Sequence, residues 1–214
     1  MKLTVVSLSM VAWAALAGCG DDSASDGGSS EGGSSEGGSA GSSEGGSANN
    51  GGSSSDGGSA PSDVPDNAYC SPVSGWDPAW AAFEAEVIEL VNAHRAAGAD
   101  CGAEGSFGPA GPLTADPSLR CAARVHSLDM FTRDYFDHSS PEGEGPDGRI
   151  EKAGYDWTTY GENIAGGYPD PASAVAGWMS SDGHCSNIMS PDFVHTGVGY
   201  HGGAALWTQV FGAN

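Results

Sequence analysis

Two stretches of this chain bring acid–base side chains close together. Tyr160 to Tyr168 reads Y-G-E-N-I-A-G-G-Y, and Ala174 to His184 reads A-V-A-G-W-M-S-S-D-G-H. They supply a carboxylate (Glu162), a large indole (Trp178) and an imidazole (His184), and a second imidazole, His138, lies upstream in F-D-H-S-S-P. If His138, Glu162 and His184 converge, they make a cleft able to hold a divalent metal or to handle protons. Two neutral imidazoles can ligate zinc, and a nearby carboxylate can take a proton from zinc-bound water, which makes Glu162 the candidate catalytic base. Catalytic zinc sites usually have three protein ligands, so the expectation is that no cofactor is required and that any Zn2+ held by His138 and His184 is weakly bound. Asp137 and Asp182 are spare acids, but neither is expected to face inward. The bland alternative is that the three residues knit the fold together by hydrogen bonds alone.

Other chemistries find less support. Ser139, Ser140 and Ser181 lie near these residues, but no G-x-S-x-G elbow is present. The glycines do not form a phosphate-cradling loop.

The elements that position these groups begin with a repeated device. Asp77-Pro78, Asp116-Pro117 and Asp170-Pro171 each read as an Asp N-cap followed by Pro at the first helical position. The first opens a helix with one stripe at Trp80, Phe83, Val87, Leu90, Val91 and His94, ended by Gly98. Asn92 and Arg95 on it read as structural polar contacts. The second carries Leu119, Ala122, Ala123, His126 and Met130 inward, and His126 reads as a satisfied core histidine rather than a ligand. A short helix from Asp147 to Ala153 carries Arg149 and Ile150. A weak strand signal spans Trp157 to Tyr160, and the third Asp-Pro helix bears Val175 and Trp178. Thr196–Tyr200 and Ala205–Phe211 alternate as paired strands joined through His201-Gly202-Gly203. Helices outnumber strands, so the natural reading is an α+β fold with helices on both sides of a small antiparallel sheet.

The ordered set F-D-H-S-S-P, G-E-N-I, W-M-S-S-D-G-H and L-W-T-Q-V-F-G resembles the CAP superfamily, or SCP domain, of the cysteine-rich secretory, antigen 5 and pathogenesis-related proteins. The resemblance runs from Trp80 to Gly212 and implies a three-layer α-β-α sandwich. It also implies a central cleft in which His138 and His184 match the two family histidines and Glu162 matches the glutamate of the G-E-N motif. The place of a second glutamate is taken here by Ser181. Where many bacterial relatives have Arg after the second histidine, this chain has Cys185.

The N-terminal part reads differently. Residues 1–18 resemble a lipoprotein signal peptide, with Lys2 before an apolar run ending in Leu16-Ala17-Gly18-Cys19. This resembles a bacterial lipobox and implies cleavage before Cys19 and lipid on its sulfur. Gly20 in the next position points to the outer membrane. Residues 19–68 read as a disordered, acidic Gly/Ser-rich linker that cannot bury enough apolar surface to order itself, with a mean span of roughly 35–40 Å. The resemblance implies a CAP/SCP domain over residues 69–214. A formal charge of −21, with no Lys or Arg between Lys2 and Arg95, excludes nucleic acid as a partner. Membrane attachment would run through the Cys19 lipid, and a monomer is expected. The four remaining cysteines, Cys70, Cys101, Cys121 and Cys185, read as two disulfides of an exported protein. Three pairings are possible. A staple across the Gly/Pro-rich loop between two helices favours Cys101–Cys121, leaving Cys70–Cys185.

The functional expectation is a lipid-anchored extracytoplasmic module whose cleft (His138, Glu162, Ser181, His184) binds a small ligand, lipid or protein without turnover. The alternatives are a metal-assisted hydrolase using the same cleft and a structural cell-surface protein.

Overall fold

The computed structural model describes residues 63–214. The expected signal peptide, Cys19 and most of the linker lie outside the described residues. Among the described residues five α-helices and six strands follow in the order α1 (Pro78–Ala97), β1 (Ala99–Asp100), β2 (Ser106–Phe107), β3 (Thr114–Ala115), α2 (Pro117–Arg133), α3 (Pro146–Ala153), β4 (Thr159–Gly166), α4 (Pro171–Met179), α5 (Asp182–Met189), β5 (His195–His201) and β6 (Leu206–Ala213).

The three Asp-Pro helix starts are present. Asp77 accepts a hydrogen bond from Ala79 N, Asp116 from Ser118 N and Leu119 N, and Asp170 from Ser173 N. Each carboxylate satisfies a backbone donor that the first helical turn leaves free, and the following Pro has no N–H to satisfy.

The main sheet runs β3-β5-β6-β4, and β1 and β2 form a separate two-stranded ribbon. Pairing is antiparallel except at the two-residue strand β3, which runs parallel to β5 and was not anticipated. Strand alternation divides the interior into two cores. Val198, Trp207 and Phe211 pack with α1, α4 and α5, whereas Val210 packs with α2 and α3. Strand β5 shows why its sequence is H-T-G-V-G-Y-H. A Cβ at Gly197 would lie 2.0 Å from Arg120 N, and one at Gly199 would lie 2.4 Å from Ala123 C. The α2 backbone therefore rests directly on β5, and only glycine leaves room for it. The α-β-α sandwich is the expected one.

Arg95 and Asn92 play the structural parts read from the sequence. Arg95 is buried and donates to the carbonyls of Gly111, Ile188, Ser190 and Phe193 at 2.7–3.2 Å. Asn92 exchanges two hydrogen bonds with the Leu113 backbone.

Two expectations are corrected. The disulfides join Cys70 to Cys121 and Cys101 to Cys185, not Cys101 to Cys121 and Cys70 to Cys185. Cys121 faces the α2/α3 core, whereas Cys101 belongs to the core on the opposite side of the sheet. Proximity in sequence cannot bridge cysteines that the sheet separates. The linker boundary also moves. Residues 63–68 belong with the folded head: Val64 is buried in the α2/α3 core, and the Asp63 carboxylate pairs with Arg124 at 2.7 and 2.8 Å.

Candidate functional site

The E-N pair at the centre of β4 organises the site. Successive strand residues point to opposite faces, so Glu162 and Asn163 reach into different layers. Glu162 meets the α2/α3 side. Its Oε1 accepts from His138 Nδ1 at 2.8 Å, and its Oε2 accepts from Arg149 Nη2 at 2.7 Å. Asn163 meets the α5 side, where its amide donates to the His184 carbonyl at 3.1 Å and its own oxygen accepts from Asn187 Nδ2 at 2.9 Å. One dipeptide thus holds both imidazole-bearing segments.

β4 is an edge strand of the sheet, and the neighbouring helices cap its carbonyls. Asn187 Nδ2 donates to Glu162 O, and Trp178 Nε1 donates to Ile164 O at 3.2 Å. The indole singled out in the sequence covers a strand edge and is itself fully buried.

The electrostatics assign roles. Burial pushes the Glu162 carboxyl up, but the Arg149 guanidinium, His126 and the His138 hydrogen bond outweigh it and bring it down to about 2. An ionised carboxylate only accepts hydrogen bonds, so His138 Nδ1 is the donor, and Nε2 is the ring atom not engaged by Glu162. His138 is partly exposed, with a side-chain accessibility of 22%. His184 is buried. Desolvation, reinforced by the charge of His138, lowers its imidazole to about 4, so it is neutral at pH 7.

The structure brings His138 and Glu162 into contact and ties the His184 backbone to Asn163, with the His184 ring near enough to interact electrostatically with His138. Ser181 precedes α5 as its N-cap residue and makes no side-chain capping bond. Asp137 turns its carboxylate to Ser139 N, and Asp182 turns its own to Ala103 N, so neither is a spare acid in the cleft.

Two functional neighbours escaped the sequence reading. Arg149 is buried and, besides Glu162, donates to the carbonyls of His138 and Glu144. The available signal was scarcity: with seven Lys and Arg against 28 acids, an Arg beside Ile150 on a short amphipathic helix was a candidate partner for a buried carboxylate. His126 is the other. It is a buried histidine satisfied by the Asp137 carbonyl, as read, but it also stands 3.9 Å from Glu162 Oε1.

The donors fit a metal centre poorly. Both Glu162 oxygens are already engaged, and among the described residues no group of three or more His, Cys, Asp or Glu side chains gathers to hold a metal ion. His138 Nε2 and the His184 ring remain, fewer than the three protein ligands of catalytic zinc. Glu162 accepts the His138 ring N–H with one oxygen and the Arg149 guanidinium with the other.

Comparison with known proteins agrees with this architecture. A model of the cysteine-rich secretory protein family, CAP, matches residues 88–211. The uncharacterized protein YkwD of Bacillus subtilis is 41% identical over 130 residues, which is 61% of this chain and 47% of that protein. The chain therefore spans about half the length of this curated relative. An extracellular protein containing an SCP domain from Bacillus anthracis superposes with a TM-score of 0.56 at 27% identity, over 63% of this chain and 41% of that one. A cysteine-rich secretory protein from Staphylococcus aureus shares the fold, with a TM-score of 0.51 at 16% identity, over 63% of this chain and 39% of that one.

Proposed function

The chain belongs to the cysteine-rich secretory protein (CAP) family, and from that premise we propose that it is an exported cell-envelope module whose cleft binds a ligand or partner without turning it over. The observation that carries this reading is the state of Glu162. A carboxylate with a pKa of about 2, buried and with each oxygen accepting a hydrogen bond, is a poor general base, because base strength falls with pKa. What the cleft offers instead is two imidazole rings able to hydrogen-bond. His138 presents Nε2, and His184 presents an imidazole whose backbone, not its ring, is tied down. Such a pair suits a ligand with polar groups of its own.

Export is supported by the two disulfides, which persist in oxidising compartments, and by the extracellular SCP-domain protein of Bacillus anthracis. The lipobox-like Leu16-Ala17-Gly18-Cys19 supports attachment to a membrane through lipid on Cys19, with the outer membrane or cell surface as the location. The strong negative charge disfavours attraction to anionic lipid and leaves the acyl chain as the anchor.

The test is a zinc titration of metal-stripped protein by calorimetry, beside a folded His138→Ala/His184→Ala variant. The expected result is no stoichiometric binding at micromolar zinc that separates the two proteins. One equivalent bound by the parent and lost in the double variant, together with chelator-sensitive cleavage of a peptide substrate that Glu162→Gln abolishes, would overturn the reading in favour of a metal-assisted hydrolase. Cleft substitutions that alter stability and nothing else would instead favour a structural surface protein.

A further inference from the structure

The segment that carries His138 leaves α2 abruptly. Asp134 turns into the left-handed region at φ 54°, Tyr135 N closes the helix on Met130 O, and the chain then runs out through the exposed Phe136 and Asp137. Little in this segment is apolar and buried, yet the His138 ring is aimed at one oxygen of Glu162. Something must hold the peptide in place.

Two buried side chains do so from opposite ends. Arg149 donates to the His138 carbonyl at 2.8 Å and to Glu162 Oε2 at 2.7 Å. His126 Nε2 lies 3.0 Å from the Asp137 carbonyl, the peptide just before His138, and 3.9 Å from Glu162 Oε1, the oxygen that receives the His138 ring. Arg149 bonds both the His138 carbonyl and the Glu162 carboxylate, whereas His126 bonds the preceding carbonyl, of Asp137, and lies close to Glu162. A carbonyl only accepts, so His126 Nε2 bears the proton in this bond. Its Nδ1 then faces the Tyr135 hydroxyl at 3.5 Å, whose proton goes to Asp129 Oδ2 at 2.6 Å.

We infer that His126 is a positioning residue of the cleft: through the Asp137 carbonyl it fixes where the His138 ring points. The inference takes the cleft as the working site proposed above, but it concerns the state of one ring and needs no ligand. A residue that merely filled the core would be replaceable by any apolar side chain of similar size. A positioning residue is replaceable only by one that can donate to the Asp137 carbonyl. Glutamine can do so and leucine cannot.

Long-range nitrogen–proton NMR of the histidine rings in the folded protein at pH 7 reads this directly. In the parent, His138 is fixed in the Nδ1–H form. His126→Gln keeps that form. His126→Leu shifts His138 toward the mixture of a free imidazole and speeds solvent exchange of its Nδ1 proton roughly tenfold, as expected for losing one net hydrogen bond in the support. His184, tied instead to Asn163, keeps its signals in both variants, which separates a local effect from general loosening. Unchanged His138 signals in a folded His126→Leu protein overturn the inference. So does a folded His126→Gln protein that behaves like His126→Leu. Should His126→Leu not fold, the parent still decides: an Nε2–H tautomer at His126 supports the inference, and an Nδ1–H tautomer, unable to donate to Asp137, refutes it.

Discussion

Replacing Arg149 with methionine tests the electrostatic account of the cleft most directly. The substitution keeps an unbranched apolar stem and removes the guanidinium that donates to Glu162 Oε2, His138 O and Glu144 O. Glu162 would remain buried with His138 as its one hydrogen-bonding partner. Breaking a buried ion pair from one side costs about 3–5 kcal/mol. The pH dependence supplies a second magnitude. A carboxyl lowered from 4.5 to about 2 contributes about 3 kcal/mol of stability, present above pH 4.5 and lost as pH falls through 2. Without Arg149, burial is less opposed and the Glu162 pKa moves up, so the variant ceases to lose stability in that window. The gap between parent and variant should therefore narrow by at least about 2 kcal/mol between pH 6 and pH 3. Urea unfolding of the parent, Arg149→Met, Glu162→Gln and the double variant at both pH values measures this, since midpoint and slope together give stability. The double variant should be less destabilised than the sum of the singles by about 2 kcal/mol at pH 6. Additive singles, or a gap that does not change with pH, would refute the claim that Arg149 keeps Glu162 ionised.

A second acid window belongs to the histidines. Burial lowers His126 and His184 from 6.5 to about 4, so between these values the unfolded chain binds more protons than the native one. The histidine contribution should be lost as pH drops from 6.5 to 4 and level off below, by about 3 kcal/mol per ring; His184→Gln should remove about half of that fall, and an unchanged slope in this folded variant would contradict a buried neutral His184. The lipid anchor predicts that Cys19→Ala, expressed in a lipoprotein-processing bacterium, moves the protein from the membrane fraction to the soluble or secreted fraction, whereas a variant that still sediments with membranes would remove the acyl-anchor reading.

What was legible in the sequence was what is decided locally. An Asp before a Pro specifies a helix start because one supplies an acceptor for free N–H groups and the other lacks an N–H. All three such helices begin where read. Strand β4 was only half seen. Its residues Tyr160 to Ala165 are buried on both faces, so Y-G-E-N-I-A shows no inside–outside alternation, and its Gly, Glu and Asn are poor strand formers. Helix α5 was missed because D-G-H-C-S-N-I-M is one short run containing a glycine, and its N-cap residue Ser181 makes no capping bond. The disulfides failed for a different reason. Their pairing depends on which side of the sheet each cysteine faces, and that is known only once the layers are assembled.

The same division explains the site. His138, Glu162 and His184 stood out through ordered motifs, but their roles depend on partners that no motif names. Read alone, Glu162 is a carboxylate near two imidazoles, and general base is a reasonable expectation. Folding adds Arg149 from α3 and His126 from α2, and these change the chemistry: the acid becomes a buried anion that orients a ring. The distribution of the E-N pair across β4 carries this further. Because alternation sends Glu162 to one layer and Asn163 to the other, the His138 ring and the His184 backbone are referenced to adjacent positions of a single strand. The relation between the two imidazoles is therefore governed by the pleat of the sheet rather than by the loops that carry them, and a one-residue slip of β4 would exchange the two faces and dismantle both supports at once.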